Sequence, residues 1–306
     1  MRRRLPALLL LLAAAGCAAP QTARVVESPG GLPRQAEVEG VPFFPQQAYY
    51  CGPAALAMTL AWSGLEETPE SLAPQVYTPG REGTLAPDIV AAARRKGRLA
   101  VELRELEGLL AEVAAGNPVL VFQNLALDWW PQWHFAVVVG YDLDRRTLIL
   151  HSGTTERLET ALDAFERTWE RSGYWALLTL PPDRLPAAID RGPVLVAAAG
   201  LEQAGQHEAA AMAYQSVVRR WPEEPAAWIG QGNAWFALQR FADAEDAFRA
   251  AIALRPDAPA AWNNLAYALS RQGRRDEAMA AARQAVALAD GEDAVYRDTL
   301  EEVSGP

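Results

Sequence analysis

Cys51 and His134 are the residues of this sequence whose types and setting could make and break an acyl bond. A thiol becomes a nucleophile on losing its proton, and a neutral imidazole can take that proton and return it to a leaving amine. Cys51 ends the run Val41-Pro-Phe-Phe-Pro-Gln-Gln-Ala-Tyr-Tyr-Cys51 and is followed by Gly52-Pro53-Ala54. From Ala54 the apolar spacing through Leu56, Leu60 and Trp62 predicts a helix. Pro53 fits its first turn, where a missing N–H costs nothing. Cys51 is thus expected at a helix N-terminus, where unpaired N–H groups and the helix dipole favour an anion. That setting lowers a thiol below its usual ~8.5. Gly52 is expected to let a substrate carbonyl approach the backbone.

Three histidines are candidates to serve the thiol. His207 lies in a helical repeat, which leaves His134 and His151. His134 opens His-Phe-Ala-Val-Val-Val-Gly-Tyr-Asp142, where Phe135 to Val139 predicts a buried strand and Gly140 to Asp142 leads into a turn. A second strand is predicted over Thr147 to Leu150. A histidine opening a core strand is held rigidly against the helix that carries Cys51. Trp129, Trp130 and Trp133 crowd the approach to His134 and are expected to line a substrate groove, with loop packing as the alternative.

The rest of the composition excludes several functions. Of 306 residues, half are hydrophobic and 22% charged, an ordinary globular balance long enough for two domains. Two cysteines permit at most one disulfide. No CxxC or HExxH spacing occurs, so neither a metal nor another cofactor is expected. A net charge of −10 argues against a nucleic-acid partner. Lys96 is the only lysine, a bias without functional weight.

The other cysteine belongs to the N-terminus. Residues 2 to 4 are Arg-Arg-Arg, and residues 5 to 15 are apolar and too few to span a bilayer of ~30 Å. They end in Ala14-Ala15-Gly16-Cys17, which resembles the lipobox of bacterial lipoproteins. The resemblance implies cleavage after Gly16 and lipid on Cys17, so residues 1–16 are expected to be a signal peptide. Cleavage removes three arginines and moves the charge from −10 to −13. Ala18 rather than Asp follows Cys17, which implies the outer membrane, with the chain facing the periplasm. Residues 17–37, rich in Pro, Gly and Gln, are expected to be a tether.

A folded domain is expected over 38–181, ending at Pro181-Pro182. From residue 191 the sequence repeats every 34 residues: Trp228 returns as Trp262, Pro222 as Pro256 and Ala244 as Ala278. With Gly232, Phe248 and Ala251 at the close-contact positions, this resembles the tetratricopeptide repeat. Units are expected at 191–224, 225–258 and 259–292, with a closing helix over 294–303 that turns Tyr296, Leu300 and Val303 inward. Such stacks imply a peptide or protein partner on the concave face, a scaffold or dimer surface being the other use.

The order Gln46…Cys51-Gly-Pro-Ala…His134-Phe-Ala-Val-Val-Val-Gly-Tyr-Asp142, with Ala115-Gly-Asn-Pro-Val-Leu-Val121 between, resembles the bacteriocin-processing, double-glycine-type cysteine peptidases of the papain-like clan. The resemblance covers about residues 40 to 180. It implies an α+β papain-like domain, here followed by an all-α tetratricopeptide solenoid. It implies Cys51 as nucleophile, His134 as general base and acid, and Gln46 as oxyanion donor, with Gln47 the alternative. Where the family carries Asp or Asn to orient the imidazole, this sequence has His151. Asp142 and Asp144 are alternatives in the turn. The expected function is peptide-bond hydrolysis through a thioester on Cys51, with the repeats recruiting a partner or substrate. Two other readings stay open: a non-catalytic peptide-binding or assembly lipoprotein, and amide or acyl transfer by the same pair.

Overall fold

The computed structural model describes residues 19–46, 50–81, 83–289 and 293–305. The signal peptide, Cys17 and Gln47 lie outside them. The described residues form two compact units, the first made chiefly of the chain up to Leu180 and the second of the chain from Asp190 onward.

The first unit is α+β and is built on one twisted sheet. Its main strands are β4 (Leu99–Leu103), β5 (Val119–Asn124), β6 (Trp133–Asp142), β7 (Thr147–Ser152), β8 (Thr155–Ala161) and β9 (Ala176–Leu180), in the order β4-β9-β5-β6-β7-β8. β6 is the spine. Its first half pairs antiparallel with β5, from Asn124↔Trp133 to Val119↔Val138. On the same edge, beyond β5, the short β1 (Gln35–Glu37) pairs with Gly140 to Asp142. The continuous apolar run Phe135–Val139 is buried along its whole length, as a central strand covered on both faces must be.

α2 (Cys51–Trp62) packs against β6. Every residue from Gly52 to Leu60 is buried, so this helix is apolar all round rather than striped. α3 (Pro69–Val76), a small hairpin of β2 (Tyr77–Thr78) and β3 (Gly83–Thr84), and α4 (Ala86–Arg95) follow. α5 (Leu106–Ala114) and α6 (Leu162–Glu170) complete the unit.

The expected tether over 17–37 is corrected where it is described. Pro20–Glu27 is a helix, α1, with Thr22 and Val25 buried. Its first backbone N–H groups, of Gln21 and Thr22, donate to the two carboxylate oxygens of the fully buried Glu166 of α6, at 2.9 and 2.6 Å. In return the Gln21 side-chain oxygen accepts from the N–H of Leu106 at the start of α5, at 2.6 Å. Tyr141 then donates to the carbonyl of Pro33. Polar composition suggested a linker, but the hydrogen-bond partners that order the segment lie more than 80 positions away.

The second unit is all-α: α7 (Arg191–Gln203), α8 (His207–Arg220), α9 (Pro225–Ala237), α10 (Phe241–Leu254), α11 (Pro259–Arg271), α12 (Arg275–Leu288) and α13 (Ala294–Ser304). The indole N–H groups of Trp228 and Trp262 each donate to the carbonyl six residues before, Pro222 and Pro256, at 2.9 and 2.8 Å. A Cβ on Gly232 would stand 2.4 Å from the Phe248 ring, so glycine sets the contact between α9 and α10. In α13, Val303 is buried, Leu300 and Tyr296 partly so, and Thr299 fills the remaining inward position. Among the described residues, no helix is long and apolar enough to cross a membrane.

Candidate active site

The site is assembled where β6 and β7 part. Their pairing ends at Val137↔His151, so the backbone groups of Phe135 have no partner on β7. Two other elements take them. The Cys51 thiol, at the first residue of α2, is hydrogen-bonded by the Phe135 N–H. The side-chain amide of Gln46 donates to the Phe135 carbonyl at 3.3 Å and accepts from the N–H of Gly153 at 3.1 Å. The Gln46 N–H also donates to the Gly153 carbonyl at 2.8 Å. Gln46 is therefore a buried wedge between the diverging strands, with one amide hydrogen committed and the other without a partner among the described residues. His134 directly precedes Phe135, so one stretch of backbone gathers Cys51, Gln46 and His134.

Burial pushes the Cys51 thiol above its ordinary value. Hydrogen bonds from the N–H groups of Phe135, Gly52 and Cys51 itself pull the other way and do not offset it. The helix start thus favours the thiolate as expected, but desolvation outweighs it. Burial also lowers His134. Both shifts favour uncharged forms, and the resting pair is a thiol and a neutral imidazole. Gly52 has a different neighbour from the one expected. A Cβ there would stand 2.4 Å from Thr84, so the glycine admits the β2–β3 hairpin beside the start of α2. The same hairpin stacks Tyr77 on Tyr50 at 5.4 Å. Thr84 and Tyr77 carry no signal in the sequence, since a two-residue strand leaves no periodicity.

The partner of His134 is Ser152, not His151. Ser152 Oγ lies 2.8 Å from His134 Nε2, so Nδ1 is the ring nitrogen left for a further partner. The reason is a β-bulge. From Asp142↔Thr147 to Gly140↔Ile149 the strands step residue for residue, and unbroken pairing would place His151 opposite Val138, on the face of His134. The register shifts between Val138 and Gly140, and Val139 is the extra residue. Its carbonyl accepts from Val38. Beyond the bulge His151 pairs with Val137 and faces away, and Ser152 takes the face of His134. The His151 ring meets the Val41 carbonyl through Nε2 and the Arg157 N–H through Nδ1, and stands edge-on to Phe43.

The turn aspartates also serve structure. Asp142 accepts from the Arg145 N–H, and Asp144 pairs with Arg34 at 2.6 Å. Asp142 stands eight residues along β6 from His134, about 27 Å away. Trp133 stacks on Phe122 at 5.1 Å, on the face opposite His134. Trp129 and Trp130 stand out in the loop before it. Among the described residues, no group of His, Cys, Asp or Glu is placed to hold a metal ion.

Comparison with known proteins agrees with this architecture. Residues 38–177 match the Peptidase_C39 like family, and residues 195–259 and 236–293 match the tetratricopeptide repeat. No curated protein matches the chain. Among solved structures, a putative C39-like peptidase from Bacillus anthracis is 19% identical, with 48% of this chain and 98% of that one covered and a TM-score of 0.41. The first tetratricopeptide domain of Spaghetti (RPAP3) bound to an HSP90 peptide is 21% identical, with 38% and 94% covered and a TM-score of 0.36. The translocator chaperone SycD of Yersinia enterocolitica is 17% identical, with 36% and 89% covered and a TM-score of 0.35.

Proposed function

We propose, from a C39-like peptidase domain joined to tetratricopeptide repeats, that the chain is an exported, lipid-anchored cysteine peptidase related to the bacteriocin-processing enzymes. The observation that carries the reading is the convergence on Phe135: its N–H meets the Cys51 thiol, its carbonyl holds Gln46, and His134 precedes it. His134 Nδ1 takes the thiol proton as the sulfur attacks the peptide carbonyl. The Cys51 N–H and the second amide hydrogen of Gln46 receive the oxyanion. The C–N bond breaks, His134 returns the proton to the amine, and a thioester remains. Water, deprotonated by His134, then attacks the thioester carbonyl; the C–S bond breaks, the acid leaves, and His134 returns the proton to the Cys51 sulfur. No cofactor enters the reaction.

Ser152 positions the His134 ring through Nε2. A hydroxyl can accept from Nε2–H or donate to Nε2, so it holds the ring in place without supplying the negative charge that would stabilise an imidazolium. That is the specific feature that favours a second reading, in which the domain binds peptides and the repeats are the working surface. A cysteine-directed probe separates the two. In the peptidase, labelling of Cys51 near neutral pH falls sharply in His134→Ala. Equal labelling of both proteins refutes the catalytic pair. Capture of proteins by Cys51→Ala in the native envelope then identifies the substrate and the partner of the repeats. Anchoring through Cys17 and an outer-membrane, periplasm-facing location belong to the same proposal, carried by the Ala14-Ala15-Gly16-Cys17 run. Membrane release of Cys17→Ser tests them.

A further inference from the structure

The loop from Leu125 to Gln132, between β5 and β6, is the most exposed apolar feature among the described residues of the first unit. Trp129 is 80% exposed, Trp130 77%, Trp133 51% and Leu127 50%, with Leu125 close to these. Large aromatic side chains are rarely presented together to water without a use. The loop is also stiff. Leu125 N–H donates to the Gln132 carbonyl, Trp130 N–H to the Leu127 carbonyl, and the Asn124 side chain accepts from the N–H groups of both Ala126 and Gln132. Exposure here is the resting conformation of a braced hairpin, so little order would be lost when the loop is covered.

Its place in the fold indicates what covers it. The Arg171 guanidinium donates to the Asn124 carbonyl at the foot of the loop, and two residues on the Gly173 carbonyl accepts from Arg104. The Arg104 carbonyl in turn accepts from Gln21, in the first turn of α1. The base of the tryptophan loop and the start of α1 are thus joined through one short segment at one end of the sheet. Ala19 is two residues from Cys17, a reach of about 7 Å at most. There is no tether to hold the unit away from whatever surface Cys17 is fixed to.

We propose that Trp129 and Trp130 seat in the interface of the phospholipid bilayer to which Cys17 is anchored, fixing the orientation of the peptidase unit on the membrane. The proposal rests on the lipid anchor of the preceding section. Tryptophan suits the occupant, since its ring prefers the headgroup boundary to either water or hydrocarbon. The lipid on Cys17 holds the chain to the bilayer at one point, and a second, apolar contact fixes the orientation of the unit on it. Asp128 at the tip and the acidic chain argue against a purely electrostatic attachment.

The test uses the full acylated protein in phosphatidylethanolamine–phosphatidylglycerol vesicles containing brominated phospholipid, with tryptophan fluorescence as the readout. The intact protein is expected to be quenched, equally at low and high salt, and Trp129→Ser/Trp130→Ser to lose most of that quenching while keeping its circular dichroism and melting temperature. Quenching that survives the double substitution overturns the proposal. So does unquenched protein whose double variant cleaves peptides in detergent with a raised KM, which would make the loop a substrate groove. Mass spectrometry of the N-terminal peptide separates this from the anchor. Without acylation and flotation, anchor and loop fall together; acylated, floating but unquenched protein sinks the loop alone.

Discussion

Trp228 and Trp262 make the same hydrogen bond 34 residues apart, and nothing among the described residues of the α/β unit recurs in this way. In the repeat unit a spacing along the chain is a spacing in space, so a side chain's neighbours can be read from its position in the period. In the α/β unit the neighbours of His134 depend on a strand return in which one extra residue, Val139, exchanges the face of His151 for that of Ser152. The repeat unit absorbs a changed residue as a packing problem. The α/β unit can turn a one-residue change of register into a different active site.

The comparison is broken most severely at Cys51. Cys51→Ala is expected to lower peptide hydrolysis by roughly 10⁴-fold or more, the scale seen when a nucleophile is removed. Its melting temperature should stay near that of the parent, because a methyl group leaves the buried start of α2 filled. Residual hydrolysis within tenfold of the parent would assign the chemistry elsewhere. In the repeat unit the matching insult is steric. Gly232→Leu drives a side chain into the Phe248 ring and is expected to cost about 3 kcal/mol, seen as earlier loss of helical signal on heating. An unchanged melt would show that α9 and α10 can separate freely.

Much of this arrangement was legible in the sequence because it is local or periodic. The helix start at Cys51 is written in Pro53 and the apolar residues after it, and β6 is written in the unbroken run from Phe135 to Val139. The all-α unit follows from its period. The rest depended on partners far away. α1 looked like a polar linker because its cap is Glu166 and the partner of its Gln21 side chain is Leu106, both far along the chain. Glu166→Ala tests that reading. It should leave one buried and one part-buried N–H without acceptors, cost about 2 kcal/mol, and expose 20–27 to proteolysis before the rest of the unit. Simultaneous cleavage everywhere would mean α1 is not a separate capped element.

The Ser152 pairing was hidden for a different reason. Pro and Gly signals mark turns, but nothing in Val137-Val138-Val139 announces which valine is the extra one. Ser152→Ala is expected to lower kcat about tenfold, near the value of one net hydrogen bond, with KM little changed. Ser152→Asp should raise the His134 pKa and move the acid limb of the rate profile to higher pH, a shift that mere packing would not produce. His151→Ala should leave kcat within about twofold, since its ring bonds serve Val41 and Arg157. A larger loss from His151→Ala than from Ser152→Ala would reverse the assignment made by the bulge.

The smallest effect expected is in the pH dependence of stability. Burial lowers both His134 and His151. In the unfolded chain an imidazole binds its proton near the usual ~6.5, whereas in the folded chain it does so only at lower pH. The unfolded state therefore binds more protons over that interval, and stability falls as the pH drops below ~6.5 and through the folded values. Above that range the two histidines contribute in full. Cys51 has the opposite sign: its raised thiol pKa makes the folded state hold the proton longer, a contribution complete at neutral pH and lost as the pH climbs past the ordinary thiol range. Denaturation midpoints of the parent and of His134→Gln and His151→Gln across the acid limb measure the first effect. Each variant should show a shallower loss below pH ~6.5 than the parent. Parallel curves in all three proteins would mean that neither imidazole is held neutral by the fold, and with that the uncharged resting pair at the mouth of α2 would have to be abandoned.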